Sequence, residues 1–302
     1  MRALLLFNPN ATTTDARVGE QVAETLAEAV DLDVRPTKQR GHATHLAAGA
    51  VHEGVDVVFA LGGDGTANEV LQALAGTPVA MGVLPGGSTN VLARALGLPN
   101  DPLEASRTMI EHVRTGHRRT ITLGRVDSRY LGFNAGFGFD AAVVRHVEQH
   151  EKRKRYLGQG AFVYGTTREW FAGSGRDAPA THLRLPDGTT KGPYLITIVA
   201  NADPYTYLRS RPMHVHPRAS FDAGLDVIAV RAMPTRHLLR VVLRVFRDGS
   251  HTDLDAVDHF HDLDAFELTH PQPQPLMVDG DYAGERTTAR FTAVRDALTV
   301  LA

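Results

Sequence analysis

Val57-Val58-Phe59-Ala60-Leu61-Gly62-Gly63-Asp64-Gly65-Thr66-Ala67-Asn68-Glu69-Val70 is an apolar run that opens into three glycines, one carboxylate and one hydroxyl. Glycine has no Cβ, so the backbone N–H groups of such a turn can close on anionic oxygens. A helix read from Asn68 to Ala75 would aim its positive end at the same place, which is the arrangement that holds phosphate. Taken alone, Gly-Gly-Asp-Gly is also compatible with a tight strand-to-helix turn and nothing more. The rest of the chain decides between the two.

Outward from this stretch the first hundred residues alternate strand and helix. Arg2 to Phe7 reads as a buried strand, Asp15 to Val30 as an amphipathic helix, Leu32 to Arg35 as a short strand and His42 to Glu53 as a second helix closed by Gly54. Next come the strand Val55 to Leu61, the helix Asn68 to Ala75, the strand Val79 to Leu84 and the helix Ser88 to Leu96, ended by Gly97 and Pro99. Repeated β-α units predict a doubly wound parallel sheet, because parallel strands need crossovers and these are right-handed. The clusters Asn8 to Thr12, Thr37-Lys38, Gly62 to Thr66 and Pro85-Gly86-Gly87-Ser88-Thr89-Asn90 each follow a strand and so share its carboxyl edge, where open α/β sheets bind ligands. Four such loops on one edge favour a nucleotide site over a bland turn.

Beyond about Arg119 the pattern changes to short strands separated by turn residues, with Pro186-Asp187-Gly188 a hairpin tip. This predicts a largely antiparallel second domain, interrupted by helices at Ala141 to Gln149, Ala161 to Phe171 and Thr235 to Phe246. Pro271-Gln272-Pro273-Gln274-Pro275 reads as a stiff local connector. The domains are placed at residues 1–120 and 121–302, with a return of the last strand to the first domain left open.

Composition narrows the function classes. A chain of 302 residues exceeds the usual size of one core. A formal net charge of -2 disfavours nucleic acid as a partner, and zero cysteines exclude disulfides and thiolate metal sites and fit a cytoplasmic protein. No signal-peptide core precedes Asn8-Pro9 and no apolar run approaches the roughly 20 residues of a membrane span, so any membrane contact is expected to be peripheral. Fifteen histidines are present, but the pairs His42/His45, His146/His150, His214/His216 and His259/His261 lack the His-Glu-x-x-His arrangement, and scattered surface histidine is the expectation. No P-loop signature occurs, and Gly136-Phe137-Gly138-Phe139-Asp140-Ala141 matches a dinucleotide fingerprint only in form, since it lies in the β-rich half.

Asn8-Pro9, Gly62 to Thr66 with Asn68-Glu69, Pro85 to Asn90 with Ala93-Arg94, Asn134 to Asp140 and Val278-Asp279-Gly280-Asp281 stand in the order seen in the diacylglycerol kinase catalytic family, which the chain resembles over nearly its whole length. The resemblance implies a nucleotide-binding α/β domain, a mainly antiparallel β-sandwich lipid domain and a cleft between them. It also implies an ATP-dependent lipid kinase that phosphorylates diacylglycerol to phosphatidic acid. Sphingoid bases, ceramide, phosphatidylglycerol or a glycolipid are alternative acceptors, and a catalytically silent nucleotide-binding regulatory protein is a further alternative. Carried over residue by residue, Asn8, Thr37, Gly62, Gly63, Asp64, Gly65, Thr66, Asn68, Glu69, Gly87 and Thr89 are the implied ATP contacts. Asp64 is the implied Mg²⁺ carboxylate, its alternative being a cap for the Asn68 helix.

The same resemblance makes Asp281 the base that takes the acceptor proton, with Asp279 as fallback; the family usually has glutamate at position 281, so aspartate is a departure one methylene shorter. In Ser220 to Asp226, Ala223 replaces a second aspartate, so a structural Mg²⁺ found there in some relatives is expected to be weak or absent, and Asp222 and Asp226 to cap a turn and meet solvent. The run Lys152 to Leu157 carries two of the four lysines and suits either an anionic-lipid contact or a solvated helix end. Trp170, Phe171, Tyr205 and Tyr207 are candidates for a lipid groove or for core. The partners expected are a lipid substrate and the inner membrane face, with a homodimer left open.

Overall fold

The computed structural model describes residues 1–9, 11–138, 141, 179–208, 210–231, 240–241, 243–245, 247 and 249–302. The expected helix 161–171, nearly all of 141–149 and most of 235–246, the Lys152 to Leu157 run, Trp170, Phe171, His146 and His150 lie outside the described residues. Two compact units are present, Met1–Leu123 with Arg295–Ala302, and Gly124–Val294.

The first unit contains β1 (Arg2–Phe7), α1 (Ala16–Ala27), β2 (Asp31–Pro36), α2 (His42–His52), β3 (Val57–Gly62), α3 (Asp64–Leu74), β4 (Ala80–Pro85), α4 (Val91–Ala95) and α5 (Pro102–Thr115). Its four strands pair in parallel in the order β4-β3-β1-β2. Every residue of β3 and β4 is buried, as continuous apolar runs covered on both faces must be, whereas edge strand β2 is largely exposed. Helices α1 and α5 pack together, as do α2 and α3. α5 starts with Asp101, whose carboxylate accepts from the Leu103 and Glu104 amides, followed by Pro102 in the first turn, and it ends at Gly116 with φ 69°. The chain end returns to this unit: Val300 pairs in parallel with Met81, and the Leu301 amide donates to Met81 O.

The second unit is antiparallel. It comprises the end of β5 (Arg119–Val126), β6 (Arg129–Leu131), β7 (Asn134–Gly138), β8 (Thr181–Arg184), β9 (Thr190–Tyr194), β10 (Ile196–Ala200), β11 (Thr206–Leu208), β12 (Arg211–Met213), β13 (Leu225–Val230), β14 (Val257–Leu263), β15 (Ala265–Val278) and most of β16 (Asp281–Val300). Pairing runs β14-β13-β10-β7-β15-β16, with β8 and β9 added beside β15. Inward side chains build two cores: Phe137, Leu183, Tyr194 and Phe291 on one side, with Phe266 stacked on Phe291 at 5.1 Å between ring centres, and Ile196, Ile228, Val230 and Val257 on the other. The Pro271 to Pro275 run is part of β15 instead of a connector; the register slips between Thr269 and Gln274, so Pro271 and Pro273 fall outside the regular ladder, while Pro275 pairs opposite Glu285. Gly136 and Gly138 lie in β7, away from any first β-α turn.

Two expectations about this unit are corrected. Asp226 is fully buried and does not meet solvent: its Oδ2 lies 3.0 Å from His259 Nε2, its Oδ1 2.7 Å from His261 Nδ1, and it accepts from the Asp262 amide at 3.1 Å. Nor are all the histidines surface residues: His216 and His251 are also buried, whereas His45, His52 and His117 are exposed as expected. The cause is strand pairing. Residues 259 and 261 alternate onto one face of β14, and the register that puts Val227 opposite Phe260 sets them against Asp226 of β13.

Candidate nucleotide site and candidate base

At the carboxyl edge of the parallel sheet the loops are tied to one another by backbone contacts. The Gly86 amide donates to Gly62 O at 2.7 Å, the Thr13 amide to Gly86 O at 3.0 Å, and the buried Thr14 Oγ1 to the same carbonyl at 3.3 Å. A Cβ at Gly87 would stand 2.6 Å from Gly63 Cα, and one at Gly86 would stand 2.3 Å from Thr14 Oγ1 and 2.9 Å from Gly62 Cα. These glycines therefore let three loops touch. Gly65 is different: it is exposed, and a Cβ there would meet nothing within 4 Å.

The helix after the loop starts earlier than the sequence suggests, at Asp64 and not Asn68. Its first intrahelical acceptor is Gly63 O, bonded by the Ala67 amide at 3.1 Å, so the amides of residues 64 to 66 precede the ladder. The Gly63 cap supplies no side-chain bond to them. The glycine turn and the helix start are thus one feature, a row of N–H groups at the positive end of α3. Asn8 Nδ2 donates to Thr66 Oγ1 at 3.5 Å across this row, and the Thr37 amide extends the sheet by donating to Phe7 O at 2.8 Å. Thr89 Oγ1 lies 3.4 Å from Ser88 Oγ in the neighbouring loop.

Three carboxylates and amides of the motif have structural partners. Asp64 Oδ1 accepts from the Leu92 amide at 3.1 Å, at the start of α4. Burial pushes the Asp64 carboxyl above the usual range, against the pull of the Val91, Leu92 and Asn90 amides and of Arg94. Its cap is therefore on α4, a neighbour in space. Glu69 accepts from the Gly41 amide at 2.7 Å and the Ala43 amide at 3.0 Å, and its carbonyl accepts from Thr44 Oγ1 at 2.9 Å, which anchors the start of α2. Asn68 is buried, with Oδ1 accepting from Gln72 Nε2 at 3.4 Å.

Asn90 is the residue that sequence reasoning left out of the site. It has φ 51°, accepts from the Gly87 amide at 2.8 Å, and donates to Gly87 O and to Asn100 Oδ1, both at 2.9 Å. The signal was present: an asparagine three residues after a glycine, just before a helix, tolerates the left-handed region and binds its own turn.

In the second unit Val278 pairs with Asp281 across a two-residue turn, Asp279 at φ 49° and Gly280 at φ 83°, the combination a type I′ hairpin requires. Asp279 is buried and accepts from the amides of Gly132 at 2.7 Å, Phe133 at 2.9 Å and Asn134 at 3.0 Å. Burial still pushes its carboxyl up to about 6, although the three amides and Arg129 pull the other way. Asp281 is part-exposed and its Oδ2 lies 2.8 Å from Arg129 Nη2. Nothing in the sequence singled out Arg129, some 150 residues upstream.

The chain and its fold are similar to known proteins. Residues 2–126 match the diacylglycerol kinase catalytic domain, and residues 134–302 match the YegS C-terminal NAD kinase beta sandwich-like domain. A diacylglycerol kinase of Mycobacterium tuberculosis is 29% identical over 272 residues, covering 86% of this chain and 81% of that protein. A protein described as a YegS-like lipid kinase, from Chromohalobacter salexigens, is 33% identical over 76% of this chain and 70% of its own length. The crystal structure of a diacylglycerol kinase from Bacillus anthracis superposes with a TM-score of 0.74 at 18% identity, over 99% of this chain and 96% of that one. An NAD kinase from Archaeoglobus fulgidus, in complex with ATP, shares the fold at a TM-score of 0.54 and 14% identity, over 100% of this chain and 94% of that one. The fold is that of the diacylglycerol and NAD kinases: a parallel α/β sheet followed by an antiparallel β-sandwich. The chain belongs to the diacylglycerol kinase and YegS-like lipid kinase family.

Proposed function

We propose that the chain transfers the γ-phosphoryl group of Mg-ATP to a primary hydroxyl of a diacylglycerol-like lipid, giving a phosphatidic acid. The observation that carries the reading is Gly65. Glycine in a helical turn costs up to about 1 kcal/mol relative to alanine, and here no atom of the described residues requires it. Close approach of a ligand to the backbone accounts for it, and the unladdered amides at the start of α3 suit an anion. That the ligand is ATP is supported by the ATP complex of the fold relative from Archaeoglobus fulgidus; that the acceptor is diacylglycerol is supported by the name of the Mycobacterium tuberculosis relative.

The roles follow from the donors present. The amides of Gly63, Asp64, Gly65 and Thr66 and the hydroxyls of Thr66 and Thr89 would bind phosphate oxygens, with Asn8 holding Thr66 in place. Among the described residues no group of three or more His, Asp or Glu side chains gathers to hold a metal ion. That suits Mg²⁺ carried on the phosphates and steadied by one carboxylate, which is how this ion is commonly bound, and Asp64 is the carboxylate in question. Mg²⁺ would neutralise phosphate charge during transfer. Asp281 would take the acceptor proton, held by its hairpin, while Glu69 and Asn90 fix the surrounding loops. Phosphoryl transfer asks the protein mainly for positioning and charge neutralisation, and the tied loops suit that demand.

The test is a panel of lipid acceptors with labelled ATP and Mg²⁺, run on the natural chain and on Asp281→Asn. Labelled phosphatidic acid from the natural chain, and only a small residual rate from a variant that still binds ATP, is expected. Labelling of a different lipid would change the acceptor, near-normal turnover by the variant would remove Asp281 as base, and nucleotide binding with no labelled lipid would favour a regulatory binding protein.

A further inference from the structure

We propose that Arg129 is the positioning residue for the Asp281 carboxylate, so that the shorter base of this chain is oriented by a guanidinium anchored on β6. The inference rests on the kinase reading and names a member of its machinery. The geometry is that of a turn gripped at both ends from one segment. Residues 132–134 hold Asp279 with three backbone amides, and Arg129, three residues before them, holds Asp281 at 2.8 Å. The same Nη2 lies 3.5 Å from Val278 O, the residue that opens the turn. Arg129 therefore spans the hairpin from its first residue to its last.

Two arguments favour a positioning role over simple stapling. The turn is already fixed by the buried Asp279 and by its two left-handed residues, so a second staple adds little to it. Arg129 and Asp281 are each about 30% exposed, at 30% and 28%, and an ion pair with that much solvent contributes little to folding. What the guanidinium does supply is direction. A planar fork holds a carboxylate oxygen along a defined line, and Asp281 has one methylene fewer than glutamate with which to find its own orientation. A base displaced by about 1 Å can lose roughly 100-fold in rate.

Kinetics of Arg129→Gln, Arg129→Lys, Asp281→Asn and the double variant Arg129→Gln/Asp281→Asn test this, with thermal unfolding of each as the control for folding. Expected are a fall in kcat of roughly 100-fold in R129Q with KM for ATP little changed, a smaller fall in R129K, near-natural unfolding of both, and a double variant no slower than D281N. A purely structural Arg129 would lower melting and leave the kcat-to-KM pattern and the cycle with Asp281 unmoved. Full turnover by R129Q beside a strongly slowed D281N would overturn the Arg129 role alone. So would losses that multiply in the double variant. If R129Q does not fold, R129K carries the decision, since natural kcat in a lysine variant would show that direction is not what Arg129 provides. No turnover by the natural chain on any lipid would overturn the kinase reading itself, and this role with it.

Discussion

Gly63 and Gly87 lie so close that a Cβ on Gly87 would stand 2.6 Å from the Gly63 Cα. Two loops that are 24 positions apart in sequence thus form one surface, and Gly87 has no room for a side chain at that contact. Gly87→Ala should force them apart, at a cost of about 1–3 kcal/mol as for other overpacked sites, and ATP binding measured by calorimetry should be abolished. Retention of natural affinity would mean that this contact does not shape the site.

Gly65 should behave in the opposite way. With open space where its Cβ would be, Gly65→Ala is expected to leave folding stability unchanged or raise it by up to about 1 kcal/mol, while weakening ATP at least roughly tenfold, about 1.4 kcal/mol. Chemical denaturation and calorimetry on the same sample read both effects. A variant that is more stable and binds ATP normally would remove the argument that Gly65 is there for a ligand.

Glu69 belongs to the phosphate motif in sequence but serves α2 in space, through the Gly41 and Ala43 amides. Removing it leaves two helix-start donors without their partner, so Glu69→Ala should destabilise by about 1–3 kcal/mol. Urea unfolding checks this. An unchanged midpoint with lost ATP binding would instead put the Glu69 carboxylate on the nucleotide.

The buried histidines set the response to acid. Burial holds His216 at about 3 instead of 6.5, so it is neutral in the folded chain and must charge on unfolding. The unfolded chain therefore binds the extra proton below 6.5, and stability is lost as pH falls from there toward 3, by on the order of 4–5 kcal/mol at full ionisation. Asp279, raised from 3.8 to about 6, and Asp64 and Asp203, which burial also raises, work in the other direction: they favour the folded state at low pH, and Asp279 loses that contribution as pH rises through 6. The gap for His216 is the larger, and His251 and Asp226, both lowered, add to it. Urea midpoints should fall between pH 6.5 and 4, and His216→Gln, compared with the natural chain, should flatten that slope even if it lowers stability at pH 7.

Much of this was legible in the chain. The fully apolar runs at 57–61 and 79–84 announce strands buried on both faces, and the small polar clusters after them mark the carboxyl edge proposed to bind nucleotide, because periodicity and glycine chemistry are local properties. The extent of elements was less legible. α3 begins at Asp64, since a Gly-Asp-Gly turn can itself be the first helical turn, and Pro271 and Pro273 are accommodated inside a strand because the register slips there. Asp226 looked solvent-facing because its two histidine partners lie more than 30 residues away.

The sequence by itself determined the order of strands and helices, the loops that must share an edge, and the identity of the groups proposed for phosphate and proton chemistry. Only the tertiary structure decided which of those groups are already engaged: Asp64 on α4, Glu69 on α2, Asp279 on three amides, Asp281 on Arg129. The reason is physical. Turn and helix preferences act over a few residues, whereas a carboxylate's partner is set by which backbone or guanidinium the fold brings within about 3 Å, and in this chain those partners lie between 26 and 152 positions away.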